Sequence, residues 1–124
     1  MFFFWKRNQG QKNRRKKDRV SFRQAIKLLV PSLACTRGEG YVEVKGRNLS
    51  EGGILIKVNR SYPTLVPCRL KIETIDHPQS LTLEGMIVWA DENKNEGLWD
   101  VGINFVNLRE EDRNFLKSLI QHTS

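Results

Sequence analysis

From Val20 onward the chain alternates apolar and polar residues with a period of two, a pattern that suits half-buried strands and not helices. Val20, Phe22, Ile26, Leu28 and Val30 fall on one face of the first run, Ser21, Arg23 and Lys27 fall on the other, and Pro31 breaks or edges it. Residues 41–48 alternate weakly, and 53–58 set Ile54, Ile56 and Val58 on one side. Residues 68–75 align Leu70 with Ile72, 81–89 align Leu81, Leu83, Ile87 and Trp89, and 99–105 align Val101 with Ile103. Turn formers separate the runs: Gly38-Glu39-Gly40, Pro63, Pro67, Asp76-His77-Pro78 and the stretch 91–97. About six short strands at this spacing predict an all-β barrel or sandwich, and closing the sheet removes its exposed edges. Trp89 and Trp99 fall on predicted inward faces, where they serve packing and not stacking on a ligand.

The C-terminal segment changes period. Asn107-Leu108-Arg109-Glu110 reads as a capping box with Asn107 as N-cap and Glu110 reaching back. Glu110, Glu111 and Asp112 then complement the helix dipole. Leu108, Phe115, Leu116, Leu119 and Ile120 recur at helical spacing, so a terminal helix lays one apolar stripe on the barrel. With 124 residues, no internal repeat and no low-complexity segment, the chain has room for one domain.

Charge is concentrated at the other end. The formal net charge is +7, and residues 6–27 hold ten Lys or Arg against the single acid Asp18, leaving the remainder slightly negative. Residues 1–18 show no periodicity and read as a flexible basic arm, whose concentrated charge favours an anionic partner. At its start, Phe2, Phe3, Phe4 and Trp5 precede Lys6 and Arg7, the reverse of a secretory signal and too short to span a bilayer. A cytoplasmic location is the expectation. Docking on the barrel or a partner, contact with a membrane interface, and disorder all stay open for these aromatic residues. Cys35 and Cys68 lack metal-ligand spacing and read as small, semi-buried thiols in a reducing compartment, and with only His77 and His122 no zinc site is visible.

Two motifs stand out in this frame. Arg15-Lys16-Lys17-Asp18-Arg19 gives an R-x-x-x-R spacing directly before the first strand, and Asn48-Leu49-Ser50-Glu51-Gly52-Gly53 gives N-x-S-x-x-G at a strand junction. Together they resemble the PilZ family of cyclic di-GMP receptors, with RxxxR before the barrel and [D/N]xSxxG on an adjoining strand. The resemblance runs from about Asn13 to Ile120 and includes Gly85-Met86-Ile87-Val88-Trp89 and Gly102-Ile103-Asn104-Phe105.

That resemblance implies a six-stranded antiparallel β-barrel with a C-terminal helix, divided into an arm at 1–13 and a domain at 14–121. It also implies cyclic di-GMP as ligand, no cofactor or metal, and a downstream protein partner in motility, surface-polymer or biofilm control. Arg15 and Arg19 suit the ligand because a guanidinium fork can take guanine O6 and N7 as a pair or grip a phosphate. The Asn48 carboxamide suits guanine's polar edge, and the Ser50 hydroxyl can donate and accept beside it. Gly52 and Gly53 are expected to allow positive φ and close approach of the ligand to the backbone. Arg14, just before the motif, accompanies an intercalated ligand dimer in similar proteins. Neutralised by the phosphates, the arm is expected to fold over Asn48 and Ser50.

Each feature has a plainer account: Asn48 and Ser50 as a turn satisfying its own backbone, and the arginines as solvated charge. A basic barrel binding single-stranded nucleic acid is the main rival, but the strand aromatics follow the core register and no RNA-recognition signature appears, so DNA is not expected as partner. A PilZ-like adaptor without ligand is the other. Catalysis is not expected, since no nucleophile–base arrangement or phosphate loop can be drawn; Asp91-Glu92 and Glu110-Glu111 read as solvated or capping carboxylates.

Overall fold

The structure, a computed structural model, describes residues 20–33, 40–74 and 77–123. The expected arm at 1–13, the aromatic residues 2–5, Arg14, Arg15, Arg19, Cys35 and the Gly38-Glu39 turn lie outside the described residues. In chain order the elements are β1 (Val20–Ser21), β2 (Ala25–Leu29), β3 (Val42–Leu49), β4 (Gly53–Val58), β5 (Val66–Thr74), β6 (His77–Asn93), β7 (Leu98–Val106) and the C-terminal helix α1 (Glu110–Thr123).

Every pairing is antiparallel, and the order β3-β2-β5-β6-β7-β4 closes through an additional β3–β4 pairing into a six-stranded barrel. The extra strand β1 lies along the end of β3, with Val20 opposite Leu49 and Ser21 opposite Asn48. The expected barrel and terminal helix are therefore present. Alternation accounts for the interior: Ile54, Ile56, Leu70, Ile72, Ile87, Val101 and Ile103 are wholly buried. Burial of such a side chain contributes about 1.5–3 kcal/mol relative to exposure. Phe22, Ile26, Leu28 and Val30 join this core as the first run predicts.

That first run is nonetheless two strands. Three residues, Phe22 to Gln24, separate the β1 and β2 pairings where β3 offers only Gly46 and Arg47. Phe22 N–H donates to Arg47 O at 2.8 Å and Gly46 N–H to Gln24 O at 2.9 Å, so the extra residue is held in a bulge. Gly46 permits it, because a Cβ there would lie 2.6 Å from Phe22 O. Against β4, β3 also shifts register between Gly46 and Asn48. The buried positions consequently change parity from Val44 to Leu49, which is why 41–48 alternates weakly.

Several expected separators belong to strands. Pro67 lies in β5 opposite Met86, and β2 pairs with β5 only from Arg69 onward, so the missing N–H is not needed on that side. His77 and Pro78 belong to β6, which runs on to Asn93. The 91–97 separator thus shrinks to a turn at 94–97, where Asn93 O accepts from Gly97 N–H at 2.9 Å and Asn93 Oδ1 from Asn95 N–H at 3.1 Å. Gly97 supplies the positive φ of 68°.

The helix also starts later than expected. Asn107 takes φ 55° and donates through Nδ2 to Glu84 Oε1 at 3.3 Å, so it belongs to the turn leaving β7. The first helical residue is Glu110, and Asp112 Oδ2 accepts from Arg109 N–H at 3.0 Å. This is a capping-box bond moved two residues along, with Asp112 in the role assigned to Glu110. Leu116 and Leu119 enter the barrel core, with Leu108, Phe115 and Ile120 packed against it.

Candidate functional site

The N-x-S-x-x-G motif forms a tight corner between β3 and β4. Ser50 N–H donates to Gly53 O at 3.0 Å, Gly52 N–H donates to Ser50 Oγ at 3.2 Å, and the Ser50 hydroxyl reaches Gly53 O at 3.5 Å. Phe105 N–H donates to Gly52 O at 2.9 Å and ties the corner to β7. Ser50 is only 5% exposed. Its hydroxyl therefore satisfies the turn's own backbone, the plainer of the roles open to it from sequence. The motif glycines also differ from expectation. Gly53 sits in β4 opposite Asn104, and among the described residues positive φ falls at Leu65, Gly97 and Asn107, not at Gly52 or Gly53. What Gly53 contributes is a strand position without a side chain.

Asn48 sits in β3, half-buried, between Ser21 of β1 and Leu55 of β4. Because Ile54, Ile56, Val101 and Ile103 point inward, Leu55, Gly102 and Asn104 point outward. The register then aligns Ser21, Asn48, Leu55, Gly102 and Trp89 in one row across five strands of the outer surface. Beside it, Gly53, Asn104 and Met86 form a second, shorter row. Motif residues Asn48, Ser50, Gly52 and Gly53 are thus brought together at one corner. Val20, which follows Arg19 in sequence, is paired there with Leu49. Arg14, Arg15 and Arg19 lie outside the described residues.

Trp89, expected on an inward face, stands instead on the outer surface. A register shift between Ile87 and Trp89 makes Val88 an unpaired bulge residue, so Ile87 faces Ile103 inside while Trp89 faces Gly102 outside. The indole lies directly on Gly102, where a Cβ would come within 2.5 Å of Trp89 Nε1. Trp99, by contrast, packs against the core as expected. Sequence reading missed Trp89, Gly102, Leu55 and Asn104 as surface neighbours of the motif. Strand register unites them, and the bulge that sets it leaves no mark in residue type.

Two polar atoms on this surface are sealed from water and have no hydrogen-bond partner among the described residues: Trp89 Nε1, a donor, and Asn104 Oδ1, an acceptor. Farther down, the outer face is lined by ion pairs, Arg47 to Asp100 at 3.0 Å and Lys57 to Glu96. The Lys57 hydrogen bond, aided by the charges of Lys57 and Arg47, holds the Glu96 carboxyl below its ordinary value. Inside the barrel, burial pushes the Cys68 thiol up to about 12, which leaves it protonated and inert. A separate groove of about 530 Å³ opens at the opposite end, where β3–β4 pairing stops at Lys45 and Lys57; Val42, Val44, Val58 and Tyr62 contribute to its wall.

The pattern of the PilZ domain family matches residues 13–122. A search of curated proteins by sequence finds no match. Among solved structures, the fold is similar to the inhibitor of motility MotI/DgrA of Bacillus subtilis, with TM-score 0.66 and 12% identity over 85% of this chain and 48% of that one. This chain therefore spans about half of MotI. It is also similar to the PilZ domain of CeSA from a cellulose synthesizing bacterium, with TM-score 0.62 and 13% identity over 84% of this chain and 95% of that one. A third similar structure is the PilZ domain with c-di-GMP of YcgR from Escherichia coli, with TM-score 0.65 and 10% identity over 85% of this chain and 87% of that one. A family pattern covering most of the sequence agrees with a barrel shared with solved PilZ domains, and the chain belongs to the PilZ domain family.

Proposed function

We propose that this chain is a non-catalytic receptor for cyclic di-GMP, in which residues 14–121 form the binding domain. The observation that carries the reading is the pairing of Val20 and Ser21, which follow the arginine-rich segment in sequence, alongside Leu49 and Asn48, next to the turn of Ser50, Gly52 and Gly53. Membership of the PilZ family and likeness to a PilZ domain solved with c-di-GMP support it.

Arg15 and Arg19 would supply charge-assisted contacts to guanine edges and phosphates. Asn48 would read a guanine from β3, and Gly52 and Gly53 would let the base approach backbone. Ser50 would act chiefly by holding the corner, consistent with its hydrogen bonds to Gly52 and Gly53. Arg14 would allow a second, intercalated ligand molecule. Ligand binding draws the arm across the corner and changes the surface offered to a regulated protein partner.

Isothermal titration of cyclic di-GMP into the protein tests this reading, and the number of ligands bound decides between one molecule and a pair. Arg19→Ala should weaken binding roughly 5- to 150-fold if its contact is a bidentate guanine pair, and Arg15→Ala/Arg19→Ala should abolish it. The self-satisfied Ser50 hydroxyl favours one alternative, an adaptor whose motif is structural; absence of binding heat in the wild-type protein would turn the reading to that adaptor or to a nucleic-acid-binding barrel, which an RNA titration separates.

A further inference from the structure

We infer that Asn104 is a base-reading residue of the ligand corner, accepting a hydrogen bond from the 2-amino group of a guanine; this rests on the cyclic di-GMP reading. Asn104 lies outside both sequence motifs. It stands on the outer face of β7, directly opposite Gly53 of β4, with Met86 of β6 on its other side. Gly53 carries no side chain, so the Asn104 carboxamide borders a strip of bare backbone beside the Ser50–Gly52 turn. That turn is bonded to the same stretch of β7 through Phe105 N–H and Gly52 O.

The carboxamide oxygen is the telling atom. It is sealed from water and has no hydrogen-bond partner among the described residues. A buried acceptor left unpaired is costly, and a donor arriving with a ligand recovers that cost. The chemistry of cyclic di-GMP narrows which donor this can be. Its phosphates are acceptors only and repel a carbonyl oxygen. The donors are guanine N1–H, the 2-amino group and the ribose hydroxyls. The 2-amino group projects farthest from the base edge and is absent from hypoxanthine, which keeps N1–H, O6 and N7. A site that hydrogen-bonds a substituent discriminates strongly against the analogue lacking it, because its own polar atom then stays unpaired. Asn104 therefore sets preference for guanine, while the arginines supply most of the attraction to the phosphates.

A chemical double-mutant cycle tests the assignment by titrating cyclic di-GMP and its hypoxanthine analogue, cyclic di-IMP, into the wild-type chain, Asn104→Leu and Asn104→Asp. The wild type should prefer the guanine ligand by roughly 5- to 50-fold. In Asn104→Leu the preference should collapse to near unity, through weaker binding of cyclic di-GMP with cyclic di-IMP little changed. Asn104→Asp keeps an acceptor and should retain the preference, even if its added charge lowers both affinities. A preference that survives in Asn104→Leu, or equal weakening of both ligands, overturns the assignment and points to a structural, ribose or arm contact. Failure of the wild type to bind cyclic di-GMP removes the receptor reading itself, a result distinct from loss of the ratio alone.

Discussion

The two halves of β3 do different work. Its C-terminal half, ending at Leu49, is gripped on both sides, by β1 and by β4, and carries the motif corner. Its N-terminal half, 42–44, pairs with β2 alone and faces the groove where β4 has turned away. One strand thus combines a rigid platform with a loosely walled end. Pairing with β4 begins at Lys45, just before the register shift at Gly46 and Arg47. A recognition surface needs side chains held to a fixed geometry, and the motif sits in the half whose hydrogen bonds run in both directions.

The largest expected effect separates the halves by stability. Leu49→Ala, at a wholly buried position, should cost about 2–5 kcal/mol. Val42→Ala, half-buried beside the groove, should cost less than half as much, with both read from urea denaturation midpoints. Equal losses would break the comparison. A middle-sized effect is expected at the outer surface of the platform, where Gly102→Ala places a methyl group in the indole of Trp89. Displacing the ring should cost about 1–3 kcal/mol and shift the tryptophan emission, whereas unchanged emission would mean that Trp89 does not rest there.

The smallest effect concerns the ion pair on the side of the groove. Glu96 has a folded pKa below its unfolded value near 4.5, so its contribution is fully present above that pH and is lost as pH falls through the lower folded value. The pair is at the surface, and its share of stability is correspondingly slight. Comparing urea midpoints at pH 7 and pH 3, the extra acid sensitivity of wild type over Lys57→Met should be small and should shrink further in high salt. No difference between the two proteins would remove the pair from the account of this end.

Much of the barrel was legible in the sequence because burial on one face of a strand forces alternation. Residues 53–58 carry the expected bounds and inward face, and Phe115, Leu116, Leu119 and Ile120 form the expected apolar stripe of α1, although Leu108 lies before the helix. The bulges were not legible. Arg47 and Val88 are ordinary strand residues, and the neighbouring strands decide which residue is left unpaired. The misplacement of Trp89 follows from that alone. The helix cap moved because Asn107 was drawn into a left-handed turn bonded to Glu84, a contact with a distant strand. At the site, a contiguous motif could be read along the chain, but Leu55, Gly102, Asn104 and Trp89 become its neighbours only through register.

The bulges also bear on how such a barrel can change over generations. In a closed ladder, losing or gaining one residue within a strand turns every later side chain to the opposite face, and no free edge exists to absorb the slip. At Val88 the ladder already holds one unpaired residue, so a deletion there can be accommodated by regular pairing, with Trp89 still opposite Gly102 on the outer face. Strand length in this barrel is therefore open to revision at a few points, and revision at this one spares both the outer pairing of Trp89 with Gly102 and the interior pairing of Ile87 with Ile103.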